Sequence, residues 1–111
     1  MTAADPIPPD GGMTALPDLA ALVPVAPGAA SSATAARVAG ARVVVFAFDT
    51  GRGLDEHTAA VPILVQVLDG RLRMRAAGNE VELAPGGLVH IDARVPHSVE
   101  ALEPSRMALI R

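Results

Sequence analysis

The chain has no cysteine, so its three histidines are the only side chains that both ligate transition metals and exchange protons near neutral pH. His57 lies in Leu54-Asp55-Glu56-His57-Thr58, just after Gly51-Arg52-Gly53. His97 follows Val95-Pro96, and His90 sits within Leu88-Val89-His90-Ile91. Imidazoles offer two chemistries, metal ligation through a ring nitrogen and proton transfer as a general base. A divalent metal ordinarily takes three or four protein donors. If the segment around His57 is extended, alternate residues share a face, so Asp55 could add a donor beside His57 while Glu56 points away. His90 is a further candidate donor. Gln66 is a polar residue in an otherwise apolar run, and Val65 and Met107 are candidate aliphatic lining for a ligand.

The elements that must position these residues are short and β-like. Arg42 to Phe48 is rich in β-branched and aromatic residues, and Val61 to Leu68 is a second apolar run. Asp69-Gly70 after it predicts a two-residue hairpin. Arg71, Arg73 and Arg75 alternate with Leu72, Met74 and Ala76, which predicts a strand with one charged face. Glu80 and Glu82 could answer those arginines across the next turn, at Gly78-Asn79. Pro85-Gly86-Gly87, Asp92 to Pro96 and Glu103-Pro104-Ser105 separate the remaining strands, Leu88 to Ile91, His97 to Ala101 and Met107 to Ile110. Many short strands at this spacing predict an all-β antiparallel sandwich or barrel, with little or no helix. Residues 1–40 differ. Pro6, Pro8, Pro9, Pro17, Pro24 and Pro27 predict an N-terminal arm that is partly extended or flexible, with one helical turn in Leu16–Val23 and an edge strand in Ser31–Val38. The barrel is expected over residues 41–111.

These turns and histidines resemble the motifs of the cupins, a superfamily of jelly-roll β-barrels. Gly51, six positions before His57, and Gly70 fit the ends of the first motif. Pro85-Gly86-Gly87 and Val95-Pro96-His97-Ser98 fit the second, so the resemblance runs from about Arg42 to Arg111. It implies a barrel pocket containing His57 and His97, which would bind a small molecule, a divalent metal (iron, manganese, nickel or zinc), or both. The positions of the other two metal ligands in the family are filled here by Ala59 and Ile63. The metal is therefore conditional on Asp55, His90 or a water completing the donor set. The alternative is a metal-dependent enzyme of dioxygenase, isomerase or lyase type.

Composition narrows the partners. Net charge is −3, all nine basic residues are arginine without a basic block, and Phe46 and Phe48 are the only aromatics apart from histidine. Nucleic-acid binding thus lacks its electrostatic footprint and its stacking platforms. No apolar run approaches the length needed to span a bilayer, and Met1-Thr2-Ala3-Ala4-Asp5 lacks the charged start of a secretory signal. A cytoplasmic homodimer that binds a small molecule is the expectation.

Overall fold

The computed structural model describes residues 12–13 and 15–111. The prolines at 6, 8 and 9 lie outside them. Nine strands follow a short 3₁₀ turn at Leu19–Leu22: β1 (Ala30–Val38), β2 (Ala41–Phe48), β3 (Gly53–His57), β4 (Ile63–Asp69), β5 (Leu72–Ala76), β6 (Asn79–Leu83), β7 (Leu88–Ile91), β8 (His97–Ala101) and β9 (Ser105–Ile110). They form two antiparallel sheets, ordered β1-β2-β9-β4-β7 and β3-β8-β5-β6. The inner faces of the sheets close on one core, in which Phe48, Leu72, Met74, Val65, Val67 and Met107 are almost wholly buried. This is the all-β antiparallel architecture that the strand pattern predicts.

The outer faces differ because their sequences differ. On the five-stranded sheet, Val45, Ala47 and Ala35 make a second apolar layer, covered by Leu22 and Val23 of the N-terminal segment. Arg106 fastens that cover. Its Nε donates to the Val23 carbonyl at 2.7 Å, and its Nη1 pairs with Asp69 at 2.7 Å. Apolar burial on both faces explains why β2 reads as an unbroken apolar run rather than an alternating one. The helical turn at Leu19–Leu22 and the edge strand β1 both form where the sequence predicts them.

The four-stranded sheet turns a charged face to water. Register places Arg73 opposite Glu82 and Glu100, and Arg75 opposite Glu80. The ion pairs follow: Arg71–Glu82 at 3.2 Å, Arg73–Glu82 at 3.3 Å, Arg73–Glu100 at 3.1 Å and Arg75–Glu80 at 2.6 Å. Hydrogen bonds from Arg71 and then Arg73 hold the Glu82 carboxyl below the usual carboxylate range. A depressed folded-state pKa means the stabilisation is complete above the ordinary carboxylate value and is lost as pH falls through the lower, folded value. We expect wild type to lose more thermal stability than Glu82→Gln on acidification across that interval, with the two curves converging in acid. Melting curves against pH check this, and parallel curves would remove Glu82 from the account. Each exposed pair is weak, so the effect is small.

One turn differs from expectation. Asp69-Gly70 does not close a hairpin, because β4 pairs with β7 and β9 while β5 pairs with β6 and β8. The chain instead crosses between sheets here. Ser105 secures the crossing: its Oγ accepts from the Arg71 N–H at 2.8 Å and packs against Gly70. Gly70 has φ +80, and a Cβ there would overlap Ser105 and the Pro104 carbonyl oxygen. Glycine at this position serves close approach as well as the turn. Two-residue hairpins form instead at Ala39-Gly40, between β1 and β2, and at Ala77-Gly78, between β5 and β6, where φ is 52 and 77.

Candidate functional site

β8 is central to the site because it pairs with β3 on one side and β5 on the other. His97, its first residue, lies opposite His57 of β3 and Ala76 of β5. The imidazoles of His57 and His97 meet edge to face, with centroids 4.3 Å apart. His97 is buried, at 3% exposure, whereas His57 is exposed.

A β-bulge brings the pair together. Leu54 pairs with Val99 and His57 with His97, so three steps along β3 match two along β8. Leu54 packs on the core, and the extra residue lets His57 share its face. The same bulge overturns the expectation for Asp55. Strict alternation would set Asp55 beside His57, but Asp55 instead lines an outer hollow with Arg73, Arg75, Ser98 and Glu100. Its backbone carbonyl, not its carboxylate, serves the site, accepting from His57 Nδ1 at 2.7 Å.

His97 is held in the same way. Its Nδ1 lies 2.8 Å from the Val95 carbonyl oxygen. A carbonyl oxygen only accepts, so each Nδ1 carries the hydrogen, and in the neutral ring the lone pair falls to Nε2. The Nε2 of His97 is buried and has no hydrogen-bond partner. That is the arrangement in which metal-ligating histidines are oriented.

The rest of the donor set does not fit a firmly held divalent metal. Among the described residues, no group of three His, Cys, Asp or Glu side chains is close enough to share an ion. His90 is no third ligand. It lies on β7 opposite Leu64 of β4, its side chain is 55% exposed, and Asp92 faces it at 3.9 Å. Ile63 is buried in the core and Ala59 packs against it, so aliphatic groups stand where the family resemblance would put ligands. Two imidazoles fall short of the usual three or four donors.

Space for a ligand lies beside the pair rather than around it. β6 and β7 leave the Pro85-Gly86-Gly87 turn and part into different sheets. In the fork is a cleft of about 250 Å³, walled by Met74, Ala76, Val81, Val89, Ile91 and Val95. Ala76, Ala77 and Asn79 continue from it into a more polar hollow of about 350 Å³ at the barrel mouth, which also touches Glu56, Arg75, Glu80 and Pro96. Ala76 and Val95 are also the residues that pair with His97 and hold its ring. His57 and His97 do not line the cleft itself, whereas His90 and Asp92 do.

Three expected lining residues do not serve. Val65 and Met107 face the interior but are sealed in the core, at 1% and 0% exposure. Gln66 is exposed, because its place in β4 is out of phase with the buried Ile63, Val65 and Val67. The cleft walls on β6 and β7 escaped the sequence reading. An alternating Val89 and Ile91 marks them as inward-facing, but nothing in the sequence shows that β6 and β7 diverge.

The profile of the family described as "Cupin domain" matches residues 44–110. Among solved structures, a cupin superfamily protein from Desulfitobacterium hafniense superposes with a TM-score of 0.80 at 18% identity, over 89% of this chain and 91% of that one. A conserved protein of unknown function from Streptococcus pyogenes gives 0.78 at 22% identity, over 99% and 93%. A cupin 2 conserved barrel domain protein from Leptotrichia buccalis gives 0.76 at 29% identity, over 82% of this chain and 44% of that longer one. No curated protein sequence matches significantly. No helix among the described residues is long and apolar enough to cross a membrane.

Proposed function

This chain belongs to the cupin domain family, and from that premise we propose that it binds a small organic molecule at the barrel mouth without a firmly held metal. The apolar part of the ligand would occupy the fork between β6 and β7, and its polar end would lie in the adjoining hollow, bordered by Glu56 and Pro96, the chain neighbours of the two histidines. The observation that carries this reading is the buried, unpartnered Nε2 of His97 next to an exposed second imidazole. A buried acceptor left unpaired costs about 1–3 kcal/mol. Small-molecule sites combine apolar walls with a few placed polar groups, and this cleft has both.

The same lone pair supports a metal-dependent enzyme of dioxygenase, isomerase or lyase type, and one experiment separates the two readings. Untagged protein is incubated with iron, manganese, nickel or zinc, desalted and analysed for metal, alongside His57→Ala and His97→Ala. We expect no stoichiometric retention by wild type. In parallel, a fragment titration followed by amide NMR should perturb Ala76, Ala77, Asn79 and Val95 together. Stoichiometric metal lost in both variants would sink the metal-free reading, and fragments binding only elsewhere would sink the cleft.

A further inference from the structure

We propose that Arg37, Arg42 and Arg111 form a binding site for a compact dianion of the phosphate class, apart from the fork between β6 and β7. The three are far apart in the sequence, and the strands align them. Arg37 of β1 lies directly opposite Arg42 of β2. Arg42 and Arg111, the residue after β9, exchange backbone N–H and carbonyl hydrogen bonds, the pattern of a directly opposed antiparallel pair. Opposed residues share a face, so three guanidiniums stand in a row on adjacent strands. Neighbouring strands lie about 4.7–4.9 Å apart, so the row spans roughly 10 Å at the backbone and its long side chains can converge on one anion.

This charge has no internal partner among the described residues. Arg71, Arg73, Arg75 and Arg106 are each paired with a carboxylate, whereas Arg37, Arg42 and Arg111 are not. Like charges placed directly opposite one another destabilise a sheet. A bound dianion would relieve that repulsion, and guanidinium forks suit phosphate oxygens. The groups are open to a ligand. Arg37 and Arg111 are exposed. Arg42 is half-buried, and its Nε is sealed without a partner, but its two Nη atoms are neither sealed nor hydrogen-bonded. A hollow of about 300 Å³ opens beside Arg111, bounded by Gly40 and Ala41 of the β1–β2 turn and by Pro62. His90 is the other ionisable residue in its wall, which contains no carboxylate. The row reaches the histidine end of the barrel, because Ile110 faces Leu64 near the start of β4, and β3 ends at His57 just before it. The acidic residues of that end, Glu56, Glu80 and Asp92, belong to β3, β6 and the loop after β7.

The test is a titration of full-length protein carrying ¹⁵N-labelled arginine, following the Nε–Hε signals near neutral pH. Inorganic phosphate is the probe and acetate the monoanion for comparison, with sodium chloride adjusted to hold ionic strength constant. The expected result is saturable shifts at Arg37, Arg42 and Arg111, with affinity for acetate weaker by roughly tenfold or more, the equivalent of about 1.4 kcal/mol. Arg37→Gln and Arg111→Gln, both at exposed positions, should each weaken phosphate binding several-fold with the fold intact. Arg52→Gln removes the same charge from the opposite end of β8, where Arg52 accepts from the Ala101 N–H through its main chain, and should leave phosphate affinity as it was. Shifts that never saturate, acetate binding as tightly as phosphate, or Arg52→Gln weakening phosphate as much as the row variants would each overturn the inference. None of these outcomes bears on the fork, whose own probes report at Ala76, Ala77, Asn79 and Val95.

Discussion

Phe48→Ala should lower the stability of this protein by about 3–5 kcal/mol, the usual cost of emptying a buried aromatic site. Phe48 has no exposed surface and stacks on Phe46 with ring centroids 5.8 Å apart. Its strand, β2, is held on both sides, by β1 and by β9. The backbone is therefore poorly placed to collapse into the void. The neighbours that would have to move, Val65, Val67, Leu72 and Met107, are all at 1% exposure or less and belong to strands with their own partners. For a domain whose total stability is typically about 5–15 kcal/mol, such a loss leaves a narrow margin. Urea unfolding should show a lower midpoint with an unchanged slope, and Phe48→Leu should recover much of the difference. A shift below about 1 kcal/mol would mean that the core rearranges around this position.

What the sequence makes legible follows from where its patterns have a single cause. Arg71, Arg73 and Arg75 alternate with Leu72, Met74 and Ala76 because only one face of β5 is buried, and the pattern predicts both the strand and its ion pairs. His57 and His97 are legible through the turns that precede them. Asp55 is misplaced by period-two counting, because a bulge inserts a residue without altering composition. Asp69-Gly70 carries the chemistry of a hairpin turn, but the left-handed glycine serves equally well where the chain changes sheets. The pairing partner, which the sequence does not specify, decides between them. Val65 and Met107 show the same limit. An inward phase is readable, whereas the difference between a closed core and an open cleft depends on how far two sheets splay.

Gly53→Ala should separate the two histidines, and it tests the link between fold and site most directly. Gly51 is the glycine that the motif spacing singles out, yet a Cβ there meets nothing within 4 Å, and its φ of +79 is the only obstacle. Gly53 has no positive φ, but its Cβ would run into the Val99 carbonyl and lie 3.0 Å from the Glu100 Cα. Both obstacles are backbone of β8, so no side-chain rotation relieves them. β8 is itself pinned by β5 on its other side. β3 is the strand free to yield, because it is an edge strand that pairs only with β8. Overpacking of this kind typically costs about 1–3 kcal/mol. Much of the damage should be local, releasing β3 and carrying His57 away from His97. Hydrogen exchange should therefore quicken in residues 53–57 and at their partners on β8 more than in β2 or β9. The ring signals of His57 should shift on His97→Gln in the intact pair, where the rings touch, and should cease to do so in Gly53→Ala. Gly51→Ala is the control, with a cost of about 1–2 kcal/mol for the left-handed backbone and the coupling between the rings preserved. If Gly53→Ala leaves that coupling in place, β3 has another way to pass Val99, and the close approach of strands is not what sets the histidines in contact.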